Sequence, residues 1–143
     1  MNHAILPVAV HIFFIKKGKI FLIKRINTGF QDGKWSVPAG RLEINETIMQ
    51  AAIREAKEEV GAKIKANNLK KILIMSHRDK RGERLYCFFI CRKWENNLEK
   101  IEVNICSDAR WFNIKKLPNN MVKHVRYALD LIVKGYDYAE FGY

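Results

Sequence analysis

Three carboxylates, Glu55, Glu58 and Glu59, stand at offsets of zero, three and four in one short stretch. On a helix turning about 100° per residue, those offsets gather all three within an arc of roughly 100°. Like charges so placed repel by a few tenths of a kcal/mol (roughly 0.2–0.5) per pair. A solvated, Glu-rich helix face is one reading of the cluster. Its neighbours point to chemistry instead. Arg54 precedes the first carboxylate, Glu46 lies upstream, and Gly40 ends the turn Val37-Pro38-Ala39-Gly40 before the loop Arg41 to Asn45. A glycine there lets the backbone approach a ligand closely and leaves its carbonyl free to coordinate. Several carboxylates and a backbone carbonyl are hard oxygen donors, a set that suits Mg²⁺ or Mn²⁺, and such ions in turn bind phosphate oxygens.

The elements that must position these groups follow from periodicity. Thr47-x-x-Gln50 has the form of a capping box, and Gly61 sits where a glycine ends a helix. Met49, Ala52, Ile53, Ala56 and Val60 repeat at helical period and form the expected core stripe, with the carboxylates at its edge. Ile5 to Ile15 is β-branched and aromatic, a largely buried strand. The turn Lys16 to Lys19 joins it to a partner strand, Ile20 to Lys24. Asn27 to Lys34 reads as a loop and Trp35 to Pro38 as a short strand. Leu69 to His77 and Leu85 to Trp94 are strands flanking the polar turn Asp79 to Gly82, and Ala109 to Ile114 is another. Asn119 or Asn120 is the expected cap of a second helix, Met121 to Lys134, stopped by Gly135, with a core stripe of Val122, Val125, Leu129 and Ile132. The order β-β-β-α-β-β-β-α predicts an α/β protein of the α+β type, a mixed sheet with helices packed on it.

The chain of 143 residues is expected to form a single domain, 1–143, large enough for its own core. Its net charge of +11 fits a polyanionic partner such as a nucleotide, nucleic acid or an anionic membrane surface. It also fits a general bias of the chain toward Lys, Ile and Asn. Cys87, Cys91 and Cys106 are odd in number and lack metal-ligand spacing, so buried thiols in a reducing compartment are expected. The apolar run Ala4 to Ile15 is interrupted by Pro7 and His11. It is too short to span a bilayer and has no basic leader, so a cytoplasmic protein without membrane insertion is expected. Tyr136, Tyr138, Phe141 and Tyr143 make the C-terminal tail apolar enough to dock, on its own domain in preference to a dimer partner. Monomer and homodimer stay open.

Taken as one spacing, Gly40, five residues, Glu46, seven residues, Arg54-Glu55-Ala56, one residue, Glu58-Glu59, one residue, Gly61-Ala62 resembles the Nudix box, the signature of the Nudix hydrolases. The two positions usually held by a bulky aliphatic are Ala56 and Ala62, and Pro38-Ala39-Gly40 stands where Pro-Gly-Gly is common. Further stretches are similar to a MutT-like bacterial branch of the family: Met75 to Arg78, Tyr86 to Phe89, Trp111-Phe112 and Tyr138 to Tyr143. The resemblance implies an α/β/α sandwich with a mixed β-sheet and flanking helices, and metal-dependent hydrolysis of a nucleoside diphosphate linked to another group. Carried over, it implies that Glu58 and Glu59, with the Gly40 carbonyl, ligate Mg²⁺ or Mn²⁺. Glu55 would ligate a metal or act as general base, Arg54 would orient a glutamate, and Glu46 would support the loop or bind a metal through water. Family members often add a carboxylate from a later loop, for which Glu102 is the candidate and Glu99 the second choice.

Family markers for ADP-ribose and diadenosine polyphosphates are absent, since His77, Arg78, Asp79 and Lys80 occupy those positions. This tilts the expectation to a nucleoside triphosphate cleaved to a monophosphate and pyrophosphate. Arg78, Lys80, Arg81 and Arg84 are candidates to face the triphosphate, or form a solvated hairpin tip. Phe30, Trp35 and Tyr86 are candidates to stack on a base, or belong to the core. The alternatives are a nucleotide sugar, a dinucleotide or a capped RNA end as substrate, or a nucleic-acid-binding module without turnover.

Overall fold

The computed structural model describes residues 2–100 and 102–143. Strand β1 (Val8–Lys16) turns through Lys17 and Gly18, both at positive φ, into β2 (Lys19–Arg25). Two successive positive-φ residues match the right-handed strand twist, so the hairpin closes in two residues. There follow β3 (Trp35–Ser36), β4 (Ala39–Arg41), helix α1 (Ile48–Val60), a short 3₁₀ turn (Ala66–Asn68), β5 (Leu69–Asp79), β6 (Gly82–Cys91), β7 (Cys106–Asn113), helix α2 (Lys123–Val133) and β8 (Tyr138–Phe141). The sheet runs β3-β2-β1-β6-β5-β8, with β4 added to β1 and β7 to β2. The β1–β6 and β5–β8 pairs are parallel and the others antiparallel, so the sheet is mixed. Among the described residues, no helix is long and apolar enough to cross a membrane.

Alternation along β1 builds two cores. Val10, Ile12 and Phe14 meet Ala52, Ala56 and Val60 of α1, while Phe13 and Ile15 belong with Val125, Ala128, Leu129 and Ile132 of α2. Fully burying side chains such as Leu129 and Ile132 contributes about 1.5–3 kcal/mol each. This is the α/β/α arrangement. Cys87, Cys91 and Cys106 are free, buried thiols in the α1-side core.

Several boundaries differ from the sequence reading. β1 begins at Val8, after the exposed residues 4–7, and β6 ends at Cys91. Residues 39–41, read as a turn and the start of a loop, form β4, whose Ala39, Gly40 and Arg41 pair with His11, Val10 and Ala9. Three residues are too few to show a strand's alternation. Neither Asn119 nor Asn120 caps α2: its N-cap is Val122, without a side-chain cap, and the Asn120 amide donates to the Gly33 carbonyl instead. The tail docks on its own domain as β8, beside β5. Besides its backbone pairing, Ala139 is buried and Phe141 stacks on His77, while Tyr136, Tyr138 and Tyr143 stay exposed.

Candidate active site

Helix α1 is fixed at both ends. The Gln50 N–H donates to the Thr47 hydroxyl (3.1 Å) and the Thr47 N–H to the Gln50 side chain (2.9 Å), while Gly61 takes the left-handed cap. Its buried arc is turned further toward the acids than the apolar stripe predicts. Ala51, Ala52, Glu55, Ala56, Glu59 and Val60 are buried, whereas Met49 is exposed. The cause is β4, which lies against this side of the helix. The Ala39 N–H donates to the Glu59 carboxylate (2.6 Å), and a Cβ on Gly40 would overlap the Glu55 carboxyl. A glycine is needed there for space.

Arg54 holds the acids apart and in place. Its Nε and Nη2 donate to Glu46 (2.6 and 2.9 Å), its Nη1 to Glu55 (2.6 Å) and Glu58 (3.3 Å), and Nη2 also to the Arg41 carbonyl. The Arg54 hydrogen bonds hold the Glu46 carboxyl down at about 2 and raise the guanidinium's own pKa. Burial pushes Glu59 well above the ordinary carboxylate range, and the Glu55 charge adds to it. Burial raises Glu55 too, against the pull of Arg54. Glu102, on the loop before β7, joins this field: its charge acts on both Glu55 and Glu59, and burial followed by Glu58 raises its own pKa. Glu99 is exposed and meets α1 through its backbone, its N–H donating to the Val60 carbonyl.

Oxygen donors that burial and mutual repulsion push toward protonation are what a divalent cation would relieve, so the acid set with Gly40 fits such an ion. Among the described residues, no three carboxylate, imidazole or thiol groups already stand at metal-centre spacing. Arg54 draws Glu46, Glu55 and Glu58 to itself.

A cavity of about 220 Å³ opens beside the acids, reached by Glu59, Ala39 and Gly40 on one wall. Arg25, Arg81, Arg84, Phe30, Tyr86, His11 and His124 also line it. Arg25 donates to the Phe30 carbonyl (3.0 Å) and the Thr28 hydroxyl (3.1 Å), and Asp32 folds that loop by accepting from the Thr28 and Gly29 N–H groups. Arg81 lies over the Phe30 ring at 3.4 Å, pairs with Asp79 (2.6 Å) and donates to the Tyr86 hydroxyl (3.3 Å). Arg84 and Tyr86 therefore face the cavity. Arg78 does not: it lies over Tyr143 at 4.3 Å, with Glu83 at 3.9 Å. Lys80 is exposed at the hairpin tip and is not a cavity residue, and Trp35 is a core residue against Phe112.

The sequence reading missed Arg25 and an imidazole wall. His11 of β1, His77 of β5 and His124 of α2 meet around Tyr86, with ring centroids 4.7, 4.8 and 5.1 Å from it. Burial drives His11 down to about 3 and His124 to about 2, and it lowers His77 as well. All three are neutral at neutral pH. The available signal was His11 within an alternating strand, on the face of Phe13 and Ile15.

Residues 5–132 match the NUDIX domain. The chain belongs to the NUDIX domain family. It is 32% identical over 123 residues to an ADP-ribose pyrophosphatase of Methanocaldococcus jannaschii, covering 86% of this chain and 71% of that one. Over 98 residues it is 30% identical to an 8-oxo-dGTP diphosphatase of Proteus vulgaris, covering 68% and 86%. The crystal structure of a MutT NUDIX hydrolase from Burkholderia pseudomallei superposes with a TM-score of 0.77 at 22% identity, over 89% of this chain and 98% of that one. This Nudix hydrolase is thus an enzyme acting on nucleotide pyrophosphate bonds, on the α/β/α fold of its MutT-like structural neighbours.

Proposed function

We propose that this Nudix hydrolase cleaves a nucleoside triphosphate to the monophosphate and pyrophosphate. One observation carries the reading: Arg25, Arg81 and Arg84 share a single cavity with Glu59 and Gly40 at one wall and the rings of Phe30 and Tyr86 at another. Guanidinium forks suit phosphate oxygens, and aromatic faces suit one base. Glu58, Glu59, Gly40 and Glu102 are the groups to hold Mg²⁺ or Mn²⁺, with Glu46 and Arg54 fixing their surroundings. Bound there, such an ion would neutralise charge on the phosphate oxygens and acidify its water. Glu55, steadied by Arg54, is the group to accept the proton of the attacking water as its oxygen bonds to one phosphorus of the α–β anhydride and the bridging P–O bond breaks, parting monophosphate from pyrophosphate.

The test is product release from ribo- and deoxynucleoside triphosphates, ADP-ribose and a diadenosine polyphosphate, with Mg²⁺ or Mn²⁺, beside Glu59→Gln. The expected result is pyrophosphate from triphosphates, lowered on the order of 10³-fold in the variant, the several kcal/mol a bound ion supplies. Cleavage of ADP-ribose with triphosphates left intact would overturn the substrate.

A further inference from the structure

Two of the cavity's arginines act on different groups. The charge of Arg25 reaches Glu59 and also His11, whereas that of Arg84 reaches His77 and Asp79, beside the imidazole wall. The arginines also differ in how they are occupied. Arg25 is tied to the Phe30 loop, and Arg81 to Asp79 and Tyr86. Arg84 is 7% exposed, its Nε has no hydrogen-bond partner, and none of the ion pairs among the described residues includes it. A buried guanidinium without acceptors is costly, and it persists where a ligand supplies them.

The rings that line the cavity with Arg84 decide what kind of acceptor fits. Tyr86 and His124 stack with their planes 25° apart, His11 closes on Tyr86, and Phe30 lies parallel to His124 within 29°. The imidazoles are neutral and packed on Tyr86 and Phe88, so the wall they make is an uncharged ring surface that can border a base and does not compete for phosphate. A planar fork beside an aromatic wall, with no acceptor of its own, suits a base edge with two adjacent acceptors.

We propose that Arg84 is a specificity residue that reads the O6 and N7 acceptors of guanine, so that this site selects the unmodified guanine base. Adenine offers a donor where guanine has O6. The 8-oxo base in its diketo form carries a proton on N7, which meets the guanidinium donor to donor. The inference rests on the triphosphate reading of the same cavity, but binding tests it without turnover.

Titration calorimetry on the full chain with dGMP, 7-deaza-dGMP, 8-oxo-dGMP, dAMP and dCMP reads the edge directly. Each good bidentate pair discriminates by roughly 5- to 150-fold. The expected result is dGMP bound about 10-fold or more tightly than the other four. Arg84→Met should weaken dGMP by about that factor and 7-deaza-dGMP, which keeps only the O6 acceptor, by clearly less, with a thermal melt showing that the variant folds. If it does not fold, the comparison of dGMP with 7-deaza-dGMP on the native chain decides alone. Equal binding of those two, tighter binding of 8-oxo-dGMP or dCMP, or an equal loss of every nucleotide in Arg84→Met would overturn the assignment. The last outcome would make Arg84 a phosphate contact. Failure of the triphosphate reading shows elsewhere, as absence of pyrophosphate release whatever the base.

Discussion

The two walls of the cavity solve opposite problems with charge. The acid wall keeps four carboxylates near one another by threading Arg54 among Glu46, Glu55 and Glu58 and by giving Glu59 the Ala39 N–H. The imidazole wall contains three side chains able to charge, and burial keeps all three neutral. A wall that must hold ions needs a counter-charge and a backbone donor, which tie it to α1 and β4. A wall that must stay uncharged needs only burial, so it is assembled from β1, β5 and the start of α2.

The comparison is broken first by acid. His11 is flanked by Arg25 and His77, and His124 by His11, His77, Arg81 and Asp79. Each has a folded pKa far below 6.5, so the unfolded chain binds more protons than the folded one in this range. Their contribution is complete above pH 6.5 and is lost as pH falls toward about 3. Each histidine costs up to about 1.4 kcal/mol per pH unit below its unfolded pKa, so urea unfolding at pH 5 should show a loss of about 3 kcal/mol from these two relative to pH 6.5. His124→Phe should halve the slope. An unchanged stability between those pH values would mean that the imidazole wall tolerates charge.

A second break targets the other wall and leaves the first alone. Gly40→Ala forces the Glu55 carboxyl aside, and the end of a flexible side chain can move, so the fold should survive. Misplacement by about 1 Å costs on the order of 100-fold in turnover. The expected outcome is that loss in kcat with an unshifted melting curve. The smallest effect sharpens the contrast: Arg54→Met leaves the acids without their shared cation, and chemical unfolding should record a loss of roughly 1–2 kcal/mol, between an exposed and a buried pair. Saturating Mg²⁺ should recover part of it, because the same carboxylates then have a cation.

The acid wall was legible because its residues are sequence neighbours. Thr47, Gln50 and Gly61 marked the helix, and Glu55, Glu58 and Glu59 declared their shared face by spacing alone. Where that reading slipped, the backbone of β4 was the reason. It draws Glu55 and Glu59 into the protein and leaves Met49 outside. The other wall had no such signature. His11 read as a break in an apolar run, and Arg25 fell just past the strand read as Ile20 to Lys24. Arg78 and Arg84, six residues apart in one hairpin, read as equivalent until the strands set one against Tyr143 and the other in the cavity.

By itself, then, the sequence determined what short-range periodicity can encode: the capped helix, the acid set with Gly40, the two strand hairpins and the apolar stripe of α2. The tertiary structure decided what depends on register across the sheet. It paired Ala39 with His11, brought β8 beside β5, and set His11, Tyr86 and His124 on one cavity with His77 packed against the last two. Helical spacing fixes directions within a few residues. Strand partners are chosen by burial and backbone hydrogen bonding across the whole chain, and no local spacing records that choice.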